Sequence, residues 1–194
     1  MPRANAADAA KTARRILESA QDRFAADGFA AASIDDIARD AGVTRGAVYH
    51  HFGGKTRLLG AVATLLQTEV AGRVTSAADA ETDAAAQLRA GSHAFLDAIT
   101  DDRAARVLLV EAPAALGWAE WRRLDAENSG RELREGLAAS GTVPEALLEA
   151  MTQLLSGAMN DAALWLAERP GDAHARAAVH DALDRVLDAA TRAR

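Results

Sequence analysis

Cysteine is absent from the 194 residues. That absence removes disulfides, thiolate zinc sites and cysteine nucleophiles together. No stretch approaches the run of about 18 apolar residues that a membrane-spanning helix needs. Residues 1–10, Met-Pro-Arg-Ala-Asn-Ala-Ala-Asp-Ala-Ala, hold no apolar core of a signal peptide. The chain is therefore expected to be soluble and cytoplasmic, with no membrane partner. Phosphate loops, metal-ligand clusters and nucleophile signatures are missing as well, so neither an enzyme nor a cofactor or metal is expected. There is no convincing strand and no internal repeat.

What is present is apolar and helical. Hydrophobic residues make up 49% of the chain, enough to fold rather than stay disordered. Apolar positions recur at helical spacing nearly everywhere, and alanine, the best helix former, fills many of them. The pattern predicts helices over 6–27, 34–41, 45–52, 55–76, 83–100, 102–112, 118–139, 144–168 and 173–192. Asp101-Asp102, Pro113, Gly141 with Pro144, and Pro170-Gly171 punctuate them. The expected fold is all-α, with about nine helices in two parts: a compact three-helix unit over 1–54 and a helical bundle over 55–194.

Charge follows the same division. The net charge is −6, but residues 1–60 hold nine Lys/Arg against seven Asp/Glu, or +2. The remainder holds 13 against 21, or −8. A mildly basic head on an acidic body suits a protein that touches phosphate at one end only.

The most informative stretch runs from Ser33 to Phe52, Ser-Ile-Asp-Asp-Ile-Ala-Arg-Asp-Ala-Gly-Val-Thr-Arg-Gly-Ala-Val-Tyr-His-His-Phe. Ser33 and Thr44 are helix-capping residues, Gly42 suits a sharp turn, and Ile34, Ile37, Val48 and Phe52 form an inward face. Small Ala38 and Ala41 let two helices cross closely. This is the pattern of a helix-turn-helix, whose second helix enters the major groove of DNA. Its outward residues have the right chemistry. Thr44 and the free N–H groups beside it suit a phosphate, and Arg45 suits guanine O6 and N7. Gly46 and Ala47 leave room for base edges, Tyr49, His50 and His51 are polar-tipped aromatics, and Lys55 opens the next helix. Asp35 and Asp36 favour the dipole of their helix but would repel a phosphate in front of them.

The run Ala-Gly-Val-Thr-Arg-Gly-Ala-Val-Tyr-His-His-Phe-Gly-Gly-Lys-Thr-Arg-Leu-Leu (41–59), with Phe24, Gly28-Phe29, Ser33 and Ile37-Ala38 upstream, resembles the TetR/AcrR family signature. The resemblance covers roughly residues 10–60. It implies a homodimer with two recognition helices about one DNA turn apart on a palindromic operator. It also implies that Ser33, Thr44, Arg45, Gly46, Tyr49, His50, His51 and Lys55 face DNA, and that repression is released by a small-molecule effector.

In the body, Leu147, Met151, Leu154, Ala158 and Trp165 form one helical stripe, and Val179, Leu183, Val186, Leu187 and Ala190 another. The resemblance implies that these last two helices pair with their copies. Leu147, Leu154, Ala158, Val179, Leu183, Val186 and Leu187 are thus the expected dimer contacts. For an effector pocket, the large groups available are Phe95, Trp118, Trp121, Met151, Met159 and Trp165. Polar residues in apolar surroundings add His93, Glu111 and Asp161, with Asn160 beside the last. The candidate ligand residues are therefore His93, Phe95, Glu111, Trp118, Trp121, Met151, Asp161 and Trp165. Pro113, within Ala112–Gly117, is expected to loosen the chain at mid-body. The alternative reading keeps this fold without an effector, with control by a protein partner or a DNA-organising role.

Overall fold

The structure is a computed structural model that describes residues 2–191, with side chains from residue 6 onward. Helices joined by short turns make up the described residues, with no strand among them, as the periodicity predicts. The head comprises α1 (Pro2–Ala31), α2 (Ile34–Asp40) and α3 (Arg45–Phe52). The body comprises α4 (Lys55–Ala78), α5 (Ala84–Ile99), α6 (Asp102–Ala104), a π-helical stretch (Ala105–Glu111), α7 (Ala112–Leu116), α8 (Trp118–Glu127), α9 (Ser129–Ala139), α10 (Glu145–Ala167) and α11 (Ala173–Thr191). Among the described residues, no helix is long and apolar enough to cross a membrane.

One continuous apolar core joins the two parts. Ile16, Ala20 and Phe24 of α1 pack with Ile37, Ala38 and Val48, and through Leu58, Leu59 and Val62 of α4 with the body core as far as Leu187. Complete burial of a side chain such as Phe24 contributes roughly 1.5–3 kcal/mol.

Local chemistry sets the head's geometry. Ser33 caps α2 by accepting from the Asp35 N–H at 3.1 Å, and Thr44 caps α3 by accepting from Ala47 N–H at 3.2 Å. Arg15 on α1 donates to the carbonyls of Ala41 and Gly42, and Ser19 donates to Ile37 O at 3.0 Å. The turn is thereby bound to the helix beneath it, and Gly42, at φ 62°, supplies the left-handed residue that the turn requires.

Three boundaries differ from the sequence pattern. The first helix extends to Ala31 across a break at Gly28 (φ 79°, ψ 164°). The helix expected over 118–139 divides at Asn128, whose side chain donates to Leu124 O at 2.8 Å and competes with the backbone ladder.

The chain breaks within the expected run Ala112–Gly117, but at Gly117 (φ 88°, ψ 155°) and not at Pro113, which sits in the first turn of α7. The π stretch explains this. Ala112 N–H bonds Val107 O, five residues back, so Pro113, which has no N–H, leaves the carbonyl of Leu108 open. The indole N–H of Trp121 donates to that carbonyl at 2.6 Å.

Candidate nucleic-acid interface and ligand cavity

On α3, Thr44, Arg45, Gly46, Tyr49 and His50 are exposed and His51 is half-buried, while Val48 anchors the opposite side of the helix in the core. Arg45 donates to Asp35 at 2.9 Å and to the Tyr49 hydroxyl at 3.4 Å. The Tyr49 hydrogen bond, with the nearby Asp35 carboxylate, pushes the Arg45 pKa up, so the side chain carries its charge throughout the physiological range. Ser33, half-buried, has its hydroxyl committed to the α2 cap. Lys55 is half-buried at the same surface, where its ammonium donates to Ala30 O at 3.1 Å and lies 4.7 Å from the centre of the Phe29 ring.

Behind this surface the head is strapped to the π stretch at the α1 break. Glu111 accepts from Phe29 N–H at 3.0 Å, and Arg106 donates to Ala26 O at 2.9 Å. Arg103 pairs with Asp22 at 3.1 Å. Gly28 sits at φ 79°, a conformation that side-chain-bearing residues rarely adopt, and this break is where the strap attaches.

The body holds a partly open cavity of about 210 Å³ between α4, α5, α8, α9 and α10. Val74, Leu88, Phe95, Leu133 and Met159 supply apolar wall; Ser92, Asp125, Ser129 and Ser156 supply polar wall. Asp125 is 2% exposed. It accepts from Arg122 at 3.1 Å and from Ser156 at 2.8 Å.

Of the ligand residues expected from sequence, Phe95 lines this cavity, and the others stand elsewhere. Glu111 belongs to the strap, and Trp121 bonds the π stretch. Met151 packs against the core. Trp118 is 68% exposed, while Asp161 and Trp165 lie on the outer face of α10, Trp165 under the Arg169 guanidinium. His93 holds α5 to α11: its Nε2 lies 2.8 Å from Asp184 Oδ1, and its ring stands edge-on to that of His180. Asp125 escaped sequence reasoning, although a signal existed. It sits beside Leu124 and four residues after Trp121, on the apolar face of a helix, where a carboxylate needs partners.

The two expected dimer stripes separate into inner and outer faces. Leu147, Leu154, Ala158 and Val186 are exposed, with Leu154 at 70%. Leu183 and Leu187 are buried in the chain's own core, and Val179 packs half-buried against it. Positions 179, 183 and 187 share one side of α11, and 178, 182, 186 and 189 share another. The outward side carries Ala178, Ala182, Val186 and Ala189.

Residues 16–62 match the family described as "Bacterial regulatory proteins, tetR family", and residues 85–190 match "Tetracyclin repressor-like, C-terminal domain". The chain belongs to the TetR family. Like other TetR-family proteins it is a transcriptional regulator with a helix-turn-helix DNA-binding head. Over 62 residues it is 53% identical to SrpR, an HTH-type transcriptional regulator of Pseudomonas putida, a match covering 32% of this chain and 29% of SrpR. A 62-residue match to TtgW from the same species, also 53% identical, covers 32% of this chain and 46% of TtgW. Sequence similarity to these two relatives thus spans less than half their length. Among solved structures, a TetR-family transcriptional regulator from Pectobacterium atrosepticum matches with TM-score 0.77 and 31% identity over 97% of this chain and 98% of that one. FadR of Bacillus subtilis, solved with stearoyl-CoA, shares the TetR fold at TM-score 0.73 and 19% identity, over 91% and 98% of the two chains.

Proposed function

We propose that the protein is a dimeric, ligand-responsive repressor acting in the cytoplasm. Residues 1–54 grip a palindromic operator, and residues 55–194 dimerise and bind a small-molecule effector. The observation that carries the DNA-binding reading is the outward face of α3. There Thr44, Arg45, Gly46, Tyr49 and His50 are open to solvent while Val48 anchors the helix in the core. An anchored helix with a guanidinium and a phenol on its exposed side fits base-edge and phosphate contact. Ser33, His51 and Lys55 belong to the same surface, with Ser33 and Lys55 also bracing it.

The outer faces of α10 and α11, where Leu147, Leu154, Trp165 and Val186 are uncovered, support dimerisation. An apolar face of this kind calls for a partner, and two half-sites call for a second copy. The cavity supports effector control, and the strap from Glu111 and Arg106 to the end of α1 offers a route from body to head. An effector would act by binding one arrangement of the two heads better than the other.

The test is fluorescence anisotropy of the purified full chain on its own upstream promoter region across a salt series. We expect salt-sensitive, sequence-selective binding that weakens about tenfold to a hundredfold in Arg45→Ala, with a smaller loss in Tyr49→Ala. Equal binding to scrambled DNA, indifferent to both substitutions, would refute the assignment of α3.

A further inference from the structure

The charges on the cavity wall are all of one sign. Asp79, Asp125, Glu132 and Glu135 line it, and no lysine, arginine or histidine does. Two of the four carboxylates have cationic neighbours outside the wall: Arg122 on Asp125 at 3.1 Å and Arg131 on Glu132 at 3.0 Å. Among the described residues, Asp79 and Glu135 have no ion-pair partner; both are exposed and add negative charge at the cavity's rim.

The hydrogen bonds point the same way. Asn160 donates to Ser156 at 3.4 Å, and Ser156 donates to Asp125 Oδ2 at 2.8 Å. Arg122 also donates to Oδ2. Among the described residues nothing donates to the other oxygen of Asp125, Oδ1, although the residue is 2% exposed and lines the cavity. Behind Ser156, the Oδ1 of Asn160 is buried without a partner. The cavity therefore presents a carboxylate oxygen without a donor on a wall that carries excess negative charge. That oxygen opens to the cavity, and a ligand that brings both N–H groups and positive charge can bond it and offset the wall's charge.

Resting on the reading of this cavity as the effector site, we propose that its ligand is a small organic cation: a protonated amine on an apolar body. Its ammonium hydrogen-bonds Asp125 Oδ1, with Glu132 and Glu135 nearby, and its body lies against Phe95, Leu133 and Met159. Size narrows the class further. Sites for drug-sized ligands run to about 300–1,000 Å³, so about 210 Å³ suits one ring with a short chain. Organic anions are disfavoured by Coulomb repulsion from the four carboxylates.

Phenethylamine, phenethyl alcohol and hydrocinnamate share a ring and a short chain and differ in charge, which makes them the probes. Each is titrated into the full chain by calorimetry. The amine is expected to bind at least about tenfold tighter than the alcohol, and the carboxylate to give no measurable binding. Asp125→Asn should bring the amine to within about threefold of the alcohol. Because that change also alters the partner of Arg122, the double variant Glu132→Gln/Glu135→Gln, on the more accessible wall, serves as the second check. It should weaken the amine several-fold and leave the alcohol unchanged. No amine binding at about 1 mM, equal or tighter binding of alcohol or carboxylate, or an amine affinity indifferent to both variants would overturn the proposal. Operator release is read separately by anisotropy. An amine that binds with this selectivity yet leaves the operator bound supports the ligand class and refutes the effector reading of the site.

Discussion

The surface of α3 and the wall of the cavity use similar residue types under opposite constraints. On the surface, Arg45 pairs with Asp35, ten residues away, and with Tyr49, four away, and all three are exposed. In the cavity, Asp125 meets Ser156 from 31 positions away, and Ser129 donates to Gln67 Oε1 at 3.3 Å, 62 positions away. Exposed pairs contribute little to stability, so DNA can break them at small cost. Buried groups must be satisfied before the chain folds, so they fix the spacing of helices. The first kind of residue is free to serve a partner, whereas the second first serves the fold and then shapes whatever enters.

The sharpest test of this contrast is Trp121→Phe. The substitution keeps an aromatic ring but removes the donor to Leu108 O, a carbonyl in a fully buried residue. Leaving that acceptor unpaired should destabilise the protein by about 1–3 kcal/mol, measured as a shift in urea midpoint at constant slope. An unchanged midpoint would mean that the π stretch rearranges to satisfy the carbonyl, and that the interior is less constrained than the surface comparison requires.

What could be foreseen from sequence divides along the same line. The head was legible because its signals are local. Caps at Ser33 and Thr44, the glycines at 28 and 42, and the outward series Arg45, Tyr49, His50 all act within a turn or two of their position. The cavity was not, since Asp125, Ser156, Phe95 and Val74 come from four helices and no spacing announces their meeting. The conspicuous aromatics misdirected attention for a physical reason. Trp118 lies on the surface, Trp165 stacks under Arg169, and Trp121 replaces the hydrogen bond that Pro113 removes. Lys55 and Glu111 were noticed for their chemistry, but only the folded chain shows both bonding the backbone at residues 29–30.

A smaller effect is expected at the α5–α11 seam, which lies between the two regimes. Partial burial pushes the Asp184 carboxyl up, but hydrogen bonds from His93 and Arg89 outweigh this and hold its pKa below the usual carboxylate value. With its folded pKa below its unfolded one, Asp184 contributes stability that is fully present above the unfolded value of 3.8. That contribution is lost as pH falls through the folded value. Thermal melts of Asp184→Asn should therefore start lower than wild type at neutral pH. The gap should close as pH drops below about 4. A gap that stays constant down to pH 3 would show that the pair is structural packing with no ionic component.

Asp35→Asn should leave the melting temperature nearly unchanged, because the pair it removes is exposed on both sides. Its consequence belongs to DNA binding. Asp35 restrains Arg45 and places a negative charge at the start of α2, where a phosphate would approach. Replacing it frees the guanidinium and removes a repulsion that acts on any sequence alike. Non-specific affinity should therefore rise more than operator affinity. The slope of log affinity against log salt should steepen by up to about one, and the ratio of specific to non-specific binding should fall. If operator and scrambled DNA gain equally little, Arg45 reaches its base without first leaving Asp35. Should the operator gain more than scrambled DNA, the pair is a brake on recognition itself, and the surface would be as tightly specified as the interior.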